Sequence, residues 1–247
     1  MTRLRYLSLA LCLVVVHVVL ASPVGTSVPD TRTAEEAAQR SKLEKAQRLV
    51  ADGKATDAIA LIDQVLAYYS AKYPEGKTRW YVSRTAEESI VYMGYATVES
   101  KLAPGKSNAR SLMVAWADAY FLKGYALNEL SRPADAKGAL ERAVYLSPEN
   151  ATYLIELAEA YKLERDWQEC DRLYREAEAA AEFSPPAQKL ADRSQAKRGQ
   201  AFVLVEQGKL DQAQNLLEEC LKLNAMDARA KKELEYIAEL RLRKKQP

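Results

Sequence analysis

Asp118-Ala119-Tyr120-Phe121-Leu122-Lys123-Gly124-Tyr125-Ala126 and Thr152-Tyr153-Leu154-Ile155-Glu156-Leu157-Ala158-Glu159-Ala160 superimpose at an offset of 34 residues. The correspondence continues past both stretches, with Ala136 falling on Cys170, Leu140 on Tyr174 and Ala143 on Ala177. Small residues at fixed offsets, with apolar residues at helical spacing between them, are the pattern of paired helices. The small side chains let the two helices of a hairpin approach closely, and the large ones fill the gap to the next hairpin. Each hairpin leaves an apolar face open until a neighbour covers it, so such units stack into an array.

The same template reads outward in both directions. Ala46 and Leu49 lead to a turn at Asp52-Gly53-Lys54, followed by Ala58, Ile62 and Val65. Ala201 and Leu204 lead to Gln207-Gly208-Lys209, followed by Ala213, Leu217 and Cys220. A glycine just past the first helix suits a left-handed C-cap. Ala136 to Cys170 is one repeat of 34, and Cys170 to Ala213 is 43, with the surplus at the helix-breaking Phe183-Ser184-Pro185-Pro186. Ala58 to Ala136 is 78, two repeats plus ten, which predicts a degenerate unit between them. Its first helix is expected over Ser83–Leu102, with Ile90, Met93, Gly94 and Thr97 on one face and no full second helix. Asp227 to about Lys244 reads as a capping helix with an acidic start and a basic end.

The repeat resembles the tetratricopeptide repeat (TPR) family. That resemblance implies an all-α, right-handed superhelical array of antiparallel hairpins with a C-terminal cap. The units fall at about 39–72, a degenerate 73–116, 117–150, 151–184 and 194–227, with the cap at 228–244, inside a repeat domain spanning 34–247. It also implies a groove lined by the first helices, which holds a partner peptide or helix. Carried over residue by residue, its positions are Asp118, Phe121, Tyr125, Asn128 and Glu129, then Thr152, Ile155, Glu159 and Lys162, then Gln195, Arg198 and Phe202. Phe121, Tyr125, Ile155 and Phe202 would form an apolar strip if exposed. A family subtype clamps a partner's C-terminal carboxylate with lysine and asparagine where this chain has Phe121 and Tyr125, so that role is not expected.

The N-terminus reads as a secretory signal peptide over residues 1–21, with Arg3 and Arg5, an apolar run from Tyr6 to Leu20, and Ala21 at the cut. Residues 22–33 read as a flexible leader. Cleavage makes the protein exported, periplasmic or secreted, whereas an uncleaved segment would anchor it to a membrane. Removing Arg3 and Arg5 leaves 34 basic residues against 34 acidic ones, so no global field favours nucleic acid. It also removes His17, the only histidine. A mature chain without histidine cannot run a Ser-His or Cys-His nucleophile and lacks the commonest zinc ligand.

No catalytic residue, cofactor, metal or small-molecule substrate is therefore expected. Gly76-Lys77-Thr78 and Gly105-Lys106-Ser107 lack the earlier glycine of a phosphate-binding loop. Cys170 and Cys220 occupy small-residue slots of the repeat and read as buried free thiols. Glu156, Glu159 and Glu164 follow the spacing of a solvated helix face. The aromatics Tyr68, Tyr69, Tyr73, Trp80, Tyr81, Tyr92 and Tyr95 crowd the degenerate region, either to plug an imperfect junction or to form a recognition surface. The function expected is a non-catalytic protein-interaction scaffold or assembly factor of the cell envelope. The alternative is a dedicated neutraliser of a secreted effector.

Overall fold

A computed structural model describes residues 31–76, 78–102 and 108–244. The signal-peptide reading, most of the leader and the Gly105-Lys106-Ser107 motif lie outside the described residues. Helices α1 (Thr31–Ala51) and α2 (Ala55–Lys72) form the first hairpin. Helix α1 begins inside the stretch read as leader. Strand β1 (Thr78–Val82), helix α3 (Ala86–Leu102) and strand β2 (Asn108–Leu112) follow. Then come α4 (Trp116–Glu129) with α5 (Pro133–Leu146), and α6 (Ala151–Glu164) with α7 (Trp167–Ala180). A 3-10 turn at Ala181–Phe183 leads to α8 (Pro186–Glu206), paired with α9 (Leu210–Leu223), and α10 (Ala228–Lys244) closes the described chain.

Each hairpin turns on one residue in the left-handed region, at the same register position every time: Gly53 (φ +73°), Ser131 (φ +56°), Arg165 (φ +59°) and Gly208 (φ +75°). Two of these are glycine, for which that conformation carries no side-chain penalty. Several helix starts are capped as their sequence dictates. Asn150 accepts from the Tyr153 amide, Asp166 from the Glu169 amide and Asp227 from the Ala230 amide. Within and between hairpins the slots for small residues are closed to solvent, as at Ala58, Ala136, Ala158, Ala177 and Ala213. Cys170 and Cys220 are buried and free, and burial pushes both thiols up to about 11. Their Sγ atoms donate to the carbonyls of Ala158 and Ser194.

The region read as a degenerate hairpin is something else. β1 and β2 pair in parallel, Thr78 with Asn108 through Val82 with Leu112, and α3 makes the crossover between them. The helix starts at Ala86, three residues later than expected, because Ser83 to Thr85 form the strand-to-helix corner. The array does not run through this βαβ element. Helix α2 packs directly on α4 instead, so the element stands beside a continuous stack of four hairpins. One face of its sheet joins the main core through Trp80 and Val82, and the other packs Tyr81 and Ala109 under Tyr92 and Ala96 of α3.

The aromatic cluster is the plug between these parts. Tyr69, Tyr81, Tyr92 and Trp116 are buried, and Trp116 stacks on Tyr69 and Tyr73 at 6.1 and 6.0 Å. Polar contacts tie the βαβ element to the α5–α6 corner. The Ser147 hydroxyl donates to the Val82 carbonyl at 2.5 Å. Arg79 donates to the Tyr145 carbonyl at 2.5 Å, with its guanidinium 3.6 Å from the Tyr145 ring. Arg84 is ion-paired with the fully buried Glu88 and also donates to Asn150 Oδ1 at 3.3 Å.

The turn register makes a direct prediction. A left-handed residue with a Cβ carries a cost of about 1–2 kcal/mol that glycine avoids. Ser131→Gly should therefore raise the unfolding free energy by about 0.5–1 kcal/mol, and Gly208→Ala should lower it by about 1–2 kcal/mol. Urea midpoints check this. Equal stability for both variants would show that the register position imposes no strain.

Candidate protein-interaction face

Helices α4, α6, α8 and α10 follow one another along one side of the array, and their facing side chains form a polar-aromatic strip. At its α4 end the Tyr153 hydroxyl donates to Asp118 at 2.5 Å. The Phe121 ring lies 4.7 Å from Tyr153 and 5.1 Å from Tyr125, edge-on to the latter. Tyr125 reaches α6, where its hydroxyl donates to Glu156. Burial pushes the Glu156 carboxyl up to about 7, the neighbouring Glu159 adding to the shift while Tyr125 and Lys162 oppose it. Glu159 in turn accepts from Tyr174 at 2.5 Å and pairs with Lys162.

The strip continues onto α8 and α10. The Lys162 ammonium sits 4.5 Å from the Phe202 ring, which meets Trp167 edge-on at 5.9 Å. Arg198 pairs with Asp227, the N-cap of α10, and both side chains are nearly closed off from solvent. Nearly two turns further along α10, burial raises Glu233 to about 7, with Asp227 and Glu159 adding to the shift and Arg198 and Lys162 opposing it. Glu156 and Glu233 occupy the same register position in their repeats. At that position in α8 stands Gly199, where an added Cβ would run into the Tyr174 ring.

Solved structures share this architecture. The MamA RS-1 double mutant matches over 84% of this chain and 85% of its own, with 11% identity and a TM-score of 0.50. The fold is that of a tetratricopeptide repeat array. The first TPR of Spaghetti bound to an HSP90 peptide matches 50% of this chain and 94% of its own, at 18% identity and a TM-score of 0.43. A thermophilic TPR protein of Thermus thermophilus matches 81% of this chain and 98% of its own, at 13% identity and a TM-score of 0.43. No protein-family model and no curated protein matches the sequence.

Within the TPR array, the positions expected to line a groove divide into three groups. Asp118, Asn128 and Glu129 are exposed. Phe121, Tyr125, Thr152, Glu159, Lys162, Gln195, Arg198 and Phe202 are half-buried. Ile155 is only 1% exposed and packs inside the core of α6 and α7, beside Phe121. It is therefore withdrawn from the candidate face. Of the expected apolar strip, Phe121, Tyr125 and Phe202 remain half-exposed beside their polar neighbours, and only Ile155 is lost to the core.

The solvated-face reading of the α6 carboxylates fails for two of the three. Glu164 is exposed and pairs with Lys137, but Glu156 and Glu159 are turned into the strip. The sequence signal for this was the tyrosines at Tyr125 and Tyr174, each of which brings a phenol to an α6 carboxylate.

The raised carboxyls give the array a pH-dependent stability of definite sign. An ordinary glutamate loses its proton near 4.5, whereas Glu156 and Glu233 keep theirs to about 7 in the folded chain. The folded state thus holds more protons across that window. Its stability from these groups is complete below 4.5 and is lost as pH rises through 7. Glu156→Gln and Glu233→Gln should each flatten this slope, and each should gain about 2–3 kcal/mol relative to the parent on going from pH 5 to pH 8. Urea unfolding at both pH values reads it. A parent and variant that differ by the same amount at both pH values would contradict the assignment.

Proposed function

We propose that this TPR array is a non-catalytic protein-interaction module that holds a cationic peptide or helix along the α4–α6–α8–α10 face. The observation that carries this reading is the sign of the face. Asp118, Glu156, Glu159, Asp227 and Glu233 stand along it, and its cations Lys162 and Arg198 are both already ion-paired within the chain. A lysine- or arginine-bearing partner meets the exposed carboxylate of Asp118 there and, as pH rises through about 7, the charge of Glu156 and Glu233, with the half-buried edges of Phe121, Tyr125 and Phe202 as platforms for its apolar stems. An acidic C-terminal tail would meet repulsion.

The strip is also largely satisfied by its own hydrogen bonds, so a partner exchanges existing contacts for new ones. Exchange of that kind yields moderate affinity, which suits a scaffold or assembly factor better than a tight neutraliser. In this proposal the N-terminal signal segment puts the role outside the cytoplasm, in the cell envelope or periplasm.

Selection from a random displayed-peptide library, followed by fluorescence anisotropy of the winners, tests the reading. Peptides enriched in Lys and Arg are expected, with micromolar affinity that falls about tenfold between 50 and 500 mM salt. Asp118→Asn keeps an acceptor for Tyr153 while removing the charge, and should weaken binding about threefold to tenfold. Acidic winners, or binding indifferent to both salt and Asp118→Asn, would reject it.

A further inference from the structure

The outer side of α3 carries an apolar stripe that nothing in the described chain covers. Ile90 is 74% exposed and Val98 56%, and Gly94, between them on the same face, is exposed as well. Glu87 and Lys101 continue the line at the two ends, both exposed. The opposite side of the helix is fixed: Tyr92 and Ala96 pack on Tyr81 and Ala109, the Tyr92 hydroxyl accepts from the Glu149 amide at 3.2 Å, and Tyr95 bonds to Glu149. These contacts lock the rotation of α3 about its axis and hold the stripe outward.

The stripe is self-complementary. Ile90 and Val98 lie four residues to either side of Gly94, and Glu87 and Lys101 lie seven to either side. When two such helices run antiparallel with their Gly94 residues at the crossing point, Ile90 of each meets Val98 of the other. At both ends Glu87 meets Lys101. A two-fold axis demands this kind of pairing, in which each residue faces its counterpart's mirror position.

Gly94 itself supports the same arrangement. A glycine inside a helix costs about 1 kcal/mol relative to alanine, yet a Cβ placed there meets nothing within 4 Å, and its φ is not in the left-handed region. Nothing inside the described chain calls for glycine at that point. A second backbone crossing closely over it does.

We propose that α3 is a homodimerisation surface, and that its occupant is α3 of a second copy of this chain, antiparallel and centred on Gly94. The contact is one helix wide, so the dimer is weak and concentration-dependent. The βαβ element that interrupts the repeat thereby becomes the part that joins two arrays, leaving the α4–α10 faces of both copies open.

Register-specific cross-linking and charge exchange test this in the full chain. With Cys12→Ser, the native cysteines that remain, Cys170 and Cys220, are buried. On mild oxidation a mixture of Ile90→Cys and Val98→Cys should give mixed dimers at least tenfold faster than Ile90→Cys alone. In sedimentation velocity, Glu87→Lys or Lys101→Glu should each raise the dissociation constant about tenfold. The double exchange Glu87→Lys/Lys101→Glu should restore it to within about threefold.

Ile90→Cys alone cross-linking as fast as the mixture would overturn the antiparallel register. A double exchange no better than either single change would overturn the charge pairing. A chain that stays monomeric and instead binds phosphatidylcholine–phosphatidylglycerol vesicles through Ile90 and Val98 would overturn the proposal in favour of a lipid surface. Ile90 and Val98 are solvent-exposed in one copy, so these changes leave the single-chain fold intact.

Discussion

The indole of Trp116 stacks on Tyr69 and Tyr73 between α2 and α4, and the continuity of the array passes through that contact. Around it the first hairpin is joined to the rest by a shared core of Ile62, Val65, Ala119 and Ala126 and by the Lys123–Asp63 ion pair. Buried alanines such as Ala58, Ala119 and Ala126 lie in the core that α2 and α4 share, but small residues do not fill its end beside the βαβ element. Aromatic rings do, because each covers a large area with only two side-chain torsions to fix. The tyrosine hydroxyls then extend the order beyond the rings. Tyr69 donates to Glu36 at 2.6 Å, and the same glutamate accepts the Ala115 amide at 2.8 Å, so α1, α2 and the start of α4 share one polar node.

The repeat was legible where its chemistry was local. Hairpin turns, small-residue slots and the break at Ser184-Pro185-Pro186 follow from side-chain size and backbone permission, which sequence carries directly. The βαβ element was not legible from spacing, because the interval from Ala58 to Ala136 counts residues without saying what shape they take. Composition did hold a clue. Thr78-Arg79-Trp80-Tyr81-Val82 is rich in the aromatic and β-branched residues that strands favour, and a helix follows it as parallel pairing requires. The second strand, Asn108-Ala109-Arg110-Ser111-Leu112, has no such signature and is held by its partner and by α3.

Groove positions were less legible still. Register transfer says which residue sits at a given angle on a helix, and it gave the neighbourhood of the strip. It does not say whether a neighbour leans over that residue. Phe121 closes over Tyr153, and Ile155 packs beside it in the core. Glu156 and Glu159 read as surface charges because helix periodicity alone cannot see a phenol arriving from another hairpin. Both carboxyls lose solvation and recover part of it from Tyr125 and Tyr174, an exchange that leaves Glu156 short of full compensation.

The interruption between α2 and α4 also orders the assembly of the chain in time. Within a hairpin the two helices are separated by a few residues, so closing them costs little conformational entropy. Bringing α2 onto α4 closes a loop spanning residues 73–115, which costs about 2 kcal/mol more for a flexible segment of that length. In a linear array folding starts wherever closure is cheapest and spreads to neighbours. The uninterrupted run from α4 to α9 therefore forms the seed, and the α1–α2 hairpin joins after the intervening element has drawn the ends together. On unfolding the sequence reverses, and the amino-terminal hairpin is the first part of the stack to leave.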